Sequence, residues 1–421
     1  MNRILNRTGN PTDVLIFAIA FCIPMWPLGT SILTLLWLAV SIITLKPSSF
    51  LEELKSKPFV LIFIGFFLMH VIGLIWTVNV SHGFKEIQDD LNLLIFPLLF
   101  AAHRPKPGSF PFIKNGFIAG TFVATLFCFL HGIYFFISTG DSGHMFYALF
   151  SAFLHPTYYG MILIVSCMFL IQDLFYPQTG EIKPRWFIIS AFVLEIAAMS
   201  LLSSRIVYLV AFALFGYFVL AAFLTGNKAI FKNKMFIALT VLSAVFFYSS
   251  ISLNNRFGQV SDAISNLGTE KKENMVSSDS LVYNSSTIRL AQFRYSMEIL
   301  KDHWFLGVGT GDSRDELTKL YEHHNDVYAL EHFRNPHSSY FHTWLMIGIP
   351  GLLLLLASIL VPYFQSVKNR FYLYQGFLAL IFITGFTDII SHATLGAFYA
   401  FMNSMLYCWG SYMIKTRNKA S

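Results

Sequence analysis

The sequence predicts an all-α polytopic membrane protein with about 12 transmembrane helices and one large outer loop that carries short amphipathic helices. Three observations predict it. The chain of 421 residues is 55% hydrophobic and only 12% charged, against about 25% charged in soluble domains. Mean hydropathy is +0.58. The apolar residues fall in blocks of about 17 to 25, the length that crosses a bilayer as helix.

The candidate spans run 13–27, 29–45, 58–77, 87–102, 112–137, 157–174, 187–204, 206–224, 235–252, 339–364, 371–389 and 394–414. The first two are short and separated by Pro27–Gly29, which predicts a tight hairpin. The fourth carries Asp89 and Asp90 in its expected first turn and is the least apolar at its start. No cleavable signal peptide stands out, so the first block is expected to stay. The chain thus divides into helices over 1–252, a loop over 253–338, and the last three helices with a tail over 339–421. Cys22, Cys128, Cys167 and Cys408 all fall inside apolar blocks. They read as small core residues and form no disulfide framework or metal cluster.

Lys and Arg set the orientation. With a cytoplasmic amino terminus, the cytoplasmic pieces hold eighteen of the 29 basic residues. The short outer loops hold only Lys85 and Arg205, and the rest lie in 253–338, which is long enough to escape the rule. Both termini are therefore expected in the cytoplasm. The net charge of +6 is mostly a topology signal and gives no case for nucleic acid. Histidine follows the opposite rule. Only His103 falls in a cytoplasmic loop, and the others gather in outer loops or toward outer span ends. Chemistry is expected on the outer face.

A loop of this length is more than a connector. In STIRLAQFRYSMEILKDHWF, residues Leu290, Phe293, Met297, Leu300 and Trp304 recur at helical spacing and predict one apolar face. Arg289 falls in the first turn, where free N–H groups and the helix dipole favour anions. A second helix is expected over 315–332, with Leu317, Leu320, Tyr321, His324 and Tyr328 on one face. Between them lies GVGTGD, residues 307–312. It lacks the Gly-Lys-Ser/Thr of a P-loop, and reads equally as a turn that doubles the chain back or as a ligand cradle. His323 and His324 face different ways and make a poor metal pair.

The stretch NPHSSYFHTWLMIGIPG, residues 335–351, puts a histidine at the mouth of a span. Asn335 is expected to cap the helix and Pro336 to open it, placing His337 in the first turn. There the dipole disfavours imidazolium and attracts phosphate. A neutral base beside an anion site suits a lipid-linked phosphate donor and a hydroxyl nucleophile. The alternative is a histidine that anchors a helix end at the headgroups. Arg205 lies between two apolar spans with almost no loop around it. A charge near a membrane usually marks a site, although snorkelling to headgroups is the simpler role. Glu195, in span seven, has either Arg205 or a neighbouring helix as its expected partner. His342 lies about 140° around the helix from His337 and is set apart from it.

Together these residues resemble the O-antigen ligase and polymerase superfamily. His337, Ser338, Gly348 and Gly351 fit its His-(Asn/Ser/Gln)-nine residues-Gly-x-x-Gly pattern. SSRIVYLVAF is similar to its Ser-Arg stretch before a span. The 286–312 segment is similar to its Arg-led helix and Gly-x-Gly turn. HPTYYG, residues 155–160, is similar to a motif of some ligase-like members. The resemblance covers roughly 140–360, and the amino-terminal third by topology alone. Leu352 follows the second glycine where some ligases have Thr-Thr.

The resemblance implies glycosyl transfer at the periplasmic face of a bacterial inner membrane. The donor would be a glycan on undecaprenyl diphosphate, and the acceptor a sugar hydroxyl of lipid A–core. Arg205 and Arg289 would hold the diphosphate, since the guanidinium fork pairs with phosphate oxygens and keeps its charge. His337 would be the general base, with inversion at the anomeric carbon. His155 and Tyr158, with Tyr159, are candidates to line the acceptor path, as is Ser338. Arg294 is a candidate second phosphate contact. No Asp-x-Asp occurs, so no metal and no cofactor is expected. The other readings are an O-antigen polymerase, a protein O-oligosaccharyltransferase, and a polysaccharide transporter or flippase. The last would spread charge through mid-membrane spans.

Overall fold

The structure, a computed structural model, describes residues 11–44, 57–103, 108–175, 184–202, 204–224, 285–332 and 335–410, together with Glu52, Leu54 and Tyr248. Every regular element among the described residues is helical. In order they are α1 (Pro11–Cys22), α2 (Pro27–Thr44), α3 (Phe59–Gly73), α4 (Val80–Ala102), α5 (Ser109–Thr139), α6 (Pro156–Phe175), α7 (Arg185–Leu202) and α8 (Arg205–Leu224). After these come α9 (Ser285–His303), α10 (Ser313–His323), α11 (Val327–His332), α12 (Ser339–Lys368), α13 (Tyr372–Thr384) and α14 (Ala393–Met405). The expected span over 235–252 lies outside the described residues apart from Tyr248.

Six helices are long and apolar enough to cross a membrane: Pro27–Thr44, Phe59–Trp76, Ser109–Thr139, Pro156–Phe175, Arg185–Leu202 and Ser339–Lys368. Thr12–Cys22 and Tyr372–Thr384 are shorter apolar helices. This is a helical membrane protein. The Pro27–Gly29 break does separate the first two helices, which pack against each other. The fourth helix differs from expectation. Asn79 caps it by accepting from the His82 N–H at 3.1 Å, so it starts at Val80. Asp89 and Asp90 therefore fall in its interior and not in its first turn.

α4 packs on α14, α3 on α12, α1 on α5, and α6 on α7. Aromatic side chains pack against α14: Phe96 and Phe100 of α4 meet Phe401 edge-on, and Phe117 of α5 stacks on Phe398. One end of the bundle is closed by polar pairs. Ser109 donates to Asp13 at 2.7 Å, His103 sits 3.3 Å from the same carboxylate, and Lys114 pairs with Asp173. Glu195 is buried and accepts from Ser166 at 2.8 Å and from the Cys167 thiol at 3.4 Å. Both of these donors belong to the neighbouring helix α6.

The 285–332 excursion sits at the opposite end. Its Leu300, Leu317, Tyr321 and Ala329 form a small core with Leu345 of α12. Asn325 takes a positive φ of 53° and splits the expected second helix into α10 and α11. Tyr295 donates to Asp326 at 2.8 Å, and His324 pairs with Glu298 at 3.2 Å. The apolar stripe of α9 is split: Leu300 is buried, with Gln292 and Ser296 beside it, while Phe293, Met297 and Trp304 are exposed. From this helix Gln292 donates to Asn335 O and Tyr295 to Asp326.

Candidate functional site at the loop end of the bundle

The start of α12 organises this end. Ser338, in extended conformation, is the residue before the helix, and its side chain makes no cap bond. Instead Ser338 Oγ donates to Gly385 O at 3.2 Å, and Ser339 Oγ donates to Asp388 O at 2.6 Å. The Ile390 N–H donates back to Ser339 Oγ at 2.7 Å. The Ser339 N–H is also taken, by Gly385 O and Asp388 O. The helix start is thus sewn to the turn between α13 and α14.

Neighbouring helices enter through that turn. The His392 ring lies 6.3 Å from Tyr158, which lies 5.3 Å from His155. Thr157 meets Ser204 at 3.5 Å, joining the starts of α6 and α8. Gln292 of α9 donates to Asn335 O at 2.9 Å. The backbone positions of His155, Tyr158, Arg205, Ser338 and His337 are therefore at one end of the bundle. Arg205 is the first residue of α8, and Arg289 precedes Gln292 by one turn of α9. Arg294 is exposed and lies about 140° around α9 from Arg289. His155 is exposed and Tyr158 half-buried.

The expected capping of span ten is overturned. Asn335 uses its carbonyl to dock α9, and Pro336 does not open the helix. His337 is exposed, with φ of 44°, and precedes the first helical residue by two positions. The serines win because their backbone and side-chain bonds to 385–390 fix where helical geometry begins.

GVGTGD is neither a simple turn nor a free cradle. Within α12 the backbone leaves helical geometry at Ile347 and Gly348, the latter at φ 66° and ψ −165°. That break strips intrahelical partners from nearby groups. The glycine segment replaces them. Val308 N donates to Leu345 O at 2.7 Å and Gly309 N to Met346 O at 3.1 Å, while Ile349 N donates to Phe305 O at 3.1 Å. Gly307 and Gly309 have φ of 73° and 116°. On its other side the segment grips the α3–α4 corner. Asp312 accepts from Val78 N and Asn79 N, both at 2.7 Å, and Thr310 donates to His70 O at 2.7 Å. The N–H groups of Val308 and Gly309 are spent on protein carbonyls.

Sequence reasoning missed a second set of residues. His82, Glu86 and Asp90 lie on one face of α4 at successive turns. His70 of α3 and His342 of α12 meet that face. His70 Nε2 is 3.2 Å from Asp90 Oδ2, His342 Nε2 is 3.9 Å from Glu86 Oε2, and His82 Nδ1 is 3.8 Å from Glu86 Oε1. His342 was set aside for its angle from His337, but that angle applies only if both lie on one helix. The i, i+4, i+8 series in α4 was the available signal, together with the gathering of histidines toward outer ends.

Residues 190–356 match the family model described as O-antigen ligase (Wzy_C). This match supports an O-antigen ligase family assignment. It takes in Arg205, Arg289, GVGTGD and the His337–Gly351 motif. No curated protein matches the chain. The family implies a glycosyltransferase-like enzyme of O-antigen processing.

Proposed function

We propose that the protein is an inverting glycosyltransferase. It joins a glycan carried on undecaprenyl diphosphate to a sugar hydroxyl of lipid A–core, at the periplasmic face of a bacterial inner membrane. Arg205 and Arg289 hold the donor diphosphate through their guanidinium forks. His337 takes the proton of the acceptor hydroxyl, the oxygen attacks the anomeric carbon, and the lipid diphosphate leaves. His155, Tyr158, Ser338 and Arg294 line the path of the substrates. The observation that carries the reading is the exposed His337 beside a pinned helix start, within the segment that matches the ligase family. An exposed imidazole before the helix reaches a hydroxyl on a large acceptor more readily than one packed inside a helical turn.

The test is transfer by purified protein in lipid, with lipid-linked glycan and lipid A–core. His337→Ala should lower the rate roughly 10²–10⁴-fold at matched protein level. His337→Gln can bond the hydroxyl but not take its proton, so it should fare no better. Transfer near the wild-type rate by either variant refutes the assignment. Chelators should leave the rate unchanged. A polymerase would instead lengthen the donor glycan in the same assay and leave the core unmodified.

A further inference from the structure

The cluster on α4 holds an unusual set of buried polar atoms. His70 is fully buried, and Asp90 and His342 are each 2% exposed. His82 and Glu86 form its rim at 19% and 16%. His342 Nδ1, His82 Nδ1 and both Asp90 oxygens make no hydrogen bond, and neither does His70 Nε2, whose 3.2 Å approach to Asp90 is not aligned as one. His70 Nδ1 faces Phe66 O at 3.0 Å, so that nitrogen is the donor and Nε2 is a bare acceptor. Buried polar atoms of this kind need partners.

The rim spacings say what kind. Glu86 is separated from His82 by 3.8 Å and from His342 by 3.9 Å, too long for direct bonds. One hydroxyl oxygen spans each gap by donating to the carboxylate and accepting from an imidazole N–H. Among the described residues no three His, Cys, Asp or Glu are arranged to hold a metal ion, which favours hydroxyls over a cation. The rim is at the same end as the candidate base, since His342 lies in the first turn of α12, five residues after His337.

We propose that His82, Glu86 and His342 form a sugar-hydroxyl subsite, with Asp90 and His70 as its polar floor. The ligand class is the hydroxyl groups of a glycan. These come from either the acceptor core or the donor chain, and the same contact serves both chemistries. The proposal rests on the glycosyl-transfer reading for its ligand, and on the geometry of the cluster for its place.

The experiment has two arms. In the first, transfer by the full-length protein is measured with acceptor varied at saturating donor, then donor varied at saturating acceptor. Glu86→Ala should raise KM for one of the two by about tenfold, one lost hydrogen bond's worth, with kcat far less changed. The substrate whose KM moves identifies the source of the hydroxyl. His82→Ala, at the partly exposed rim, should move the same KM, and it keeps the test open if Glu86→Ala misfolds. Unchanged KM for both substrates in a folded variant overturns the subsite and leaves water alone in the gaps. The second arm titrates lipid-free core oligosaccharide and lipid-free donor glycan by saturation-transfer NMR. Binding of one by wild type that Glu86→Ala or His82→Ala weakens supports the subsite even if no transfer is seen, in which case the catalytic reading alone falls. Binding of neither by wild type overturns the subsite even if transfer is intact.

Discussion

Gly348→Ala should be among the most damaging single-methyl changes in the chain. The residue sits at φ 66° and ψ −165°, a region open almost only to glycine, and forcing alanine into it costs roughly 1–3 kcal/mol. A Cβ there would also lie 1.9 Å from Phe305 O. That oxygen is backbone, and it accepts the Ile349 N–H at 3.1 Å. It cannot retreat without giving up that bond, worth roughly 0.5–1.5 kcal/mol, and leaving the N–H to its longer contact with Trp304 O at 3.3 Å. The sum, about 1.5–4.5 kcal/mol, is a large share of the 5–15 kcal/mol that ordinarily separates folded from unfolded protein. The assay is the apparent melting temperature of detergent-purified protein, with Gly65→Ala as control. A Cβ at Gly65 meets nothing nearer than Leu354 Cδ2 at 3.4 Å, and alanine suits a helix better than glycine. Gly65→Ala should melt at or above wild type and Gly348→Ala well below it. Equal melting of the two variants would refute the account of the helix break.

Asp312→Ala removes the acceptor of two backbone N–H groups and should destabilise by about 3 kcal/mol or more. Asp312→Asn keeps one oxygen and should lose about half as much, and the same melting assay separates them. Arg205→Ala and Arg289→Ala should lose most transfer activity while the protein still inserts, and Arg289→Lys should keep part of it, because the charge remains but the fork is gone. Near-normal transfer by an alanine variant removes that residue from the diphosphate site. A cysteine at Ser142 should be labelled by an impermeant reagent from the periplasm and one at Asn369 only after the membrane is opened. The reverse pattern would invert the orientation.

The helices were legible because apolar length is a crude and strong signal. Their starts were less so. Asn335–Pro336 is a good local opening, yet the helix begins at Ser339, since the bonds of Ser338 and Ser339 to residues 385–390 are invisible in a local reading. The setting of α9 was legible only in part. Periodicity finds an apolar stripe over Phe293 and Met297, but not whether protein or lipid lies against it. His342 and Glu86 were hidden because their meeting needs α4 and α12 to be neighbours, a contact between positions 256 residues apart in sequence. GVGTGD stayed open between turn and cradle, because its partners at Val78, Asn79, Leu345 and Met346 belong to the tertiary fold.

The grip of that turn on the α3–α4 corner bears on where the chain can be cut. The family match begins at residue 190, yet Asp312 and Thr310 inside it are held by residues 70, 78 and 79, far outside it. A fragment spanning only the matched stretch would carry a carboxylate built for two absent amides and a broken helix propped on one side alone. The matched segment is thus not a portable module. Any chimera that transplants it into another bundle must bring residues 70–83 along, or supply a corner of the same shape.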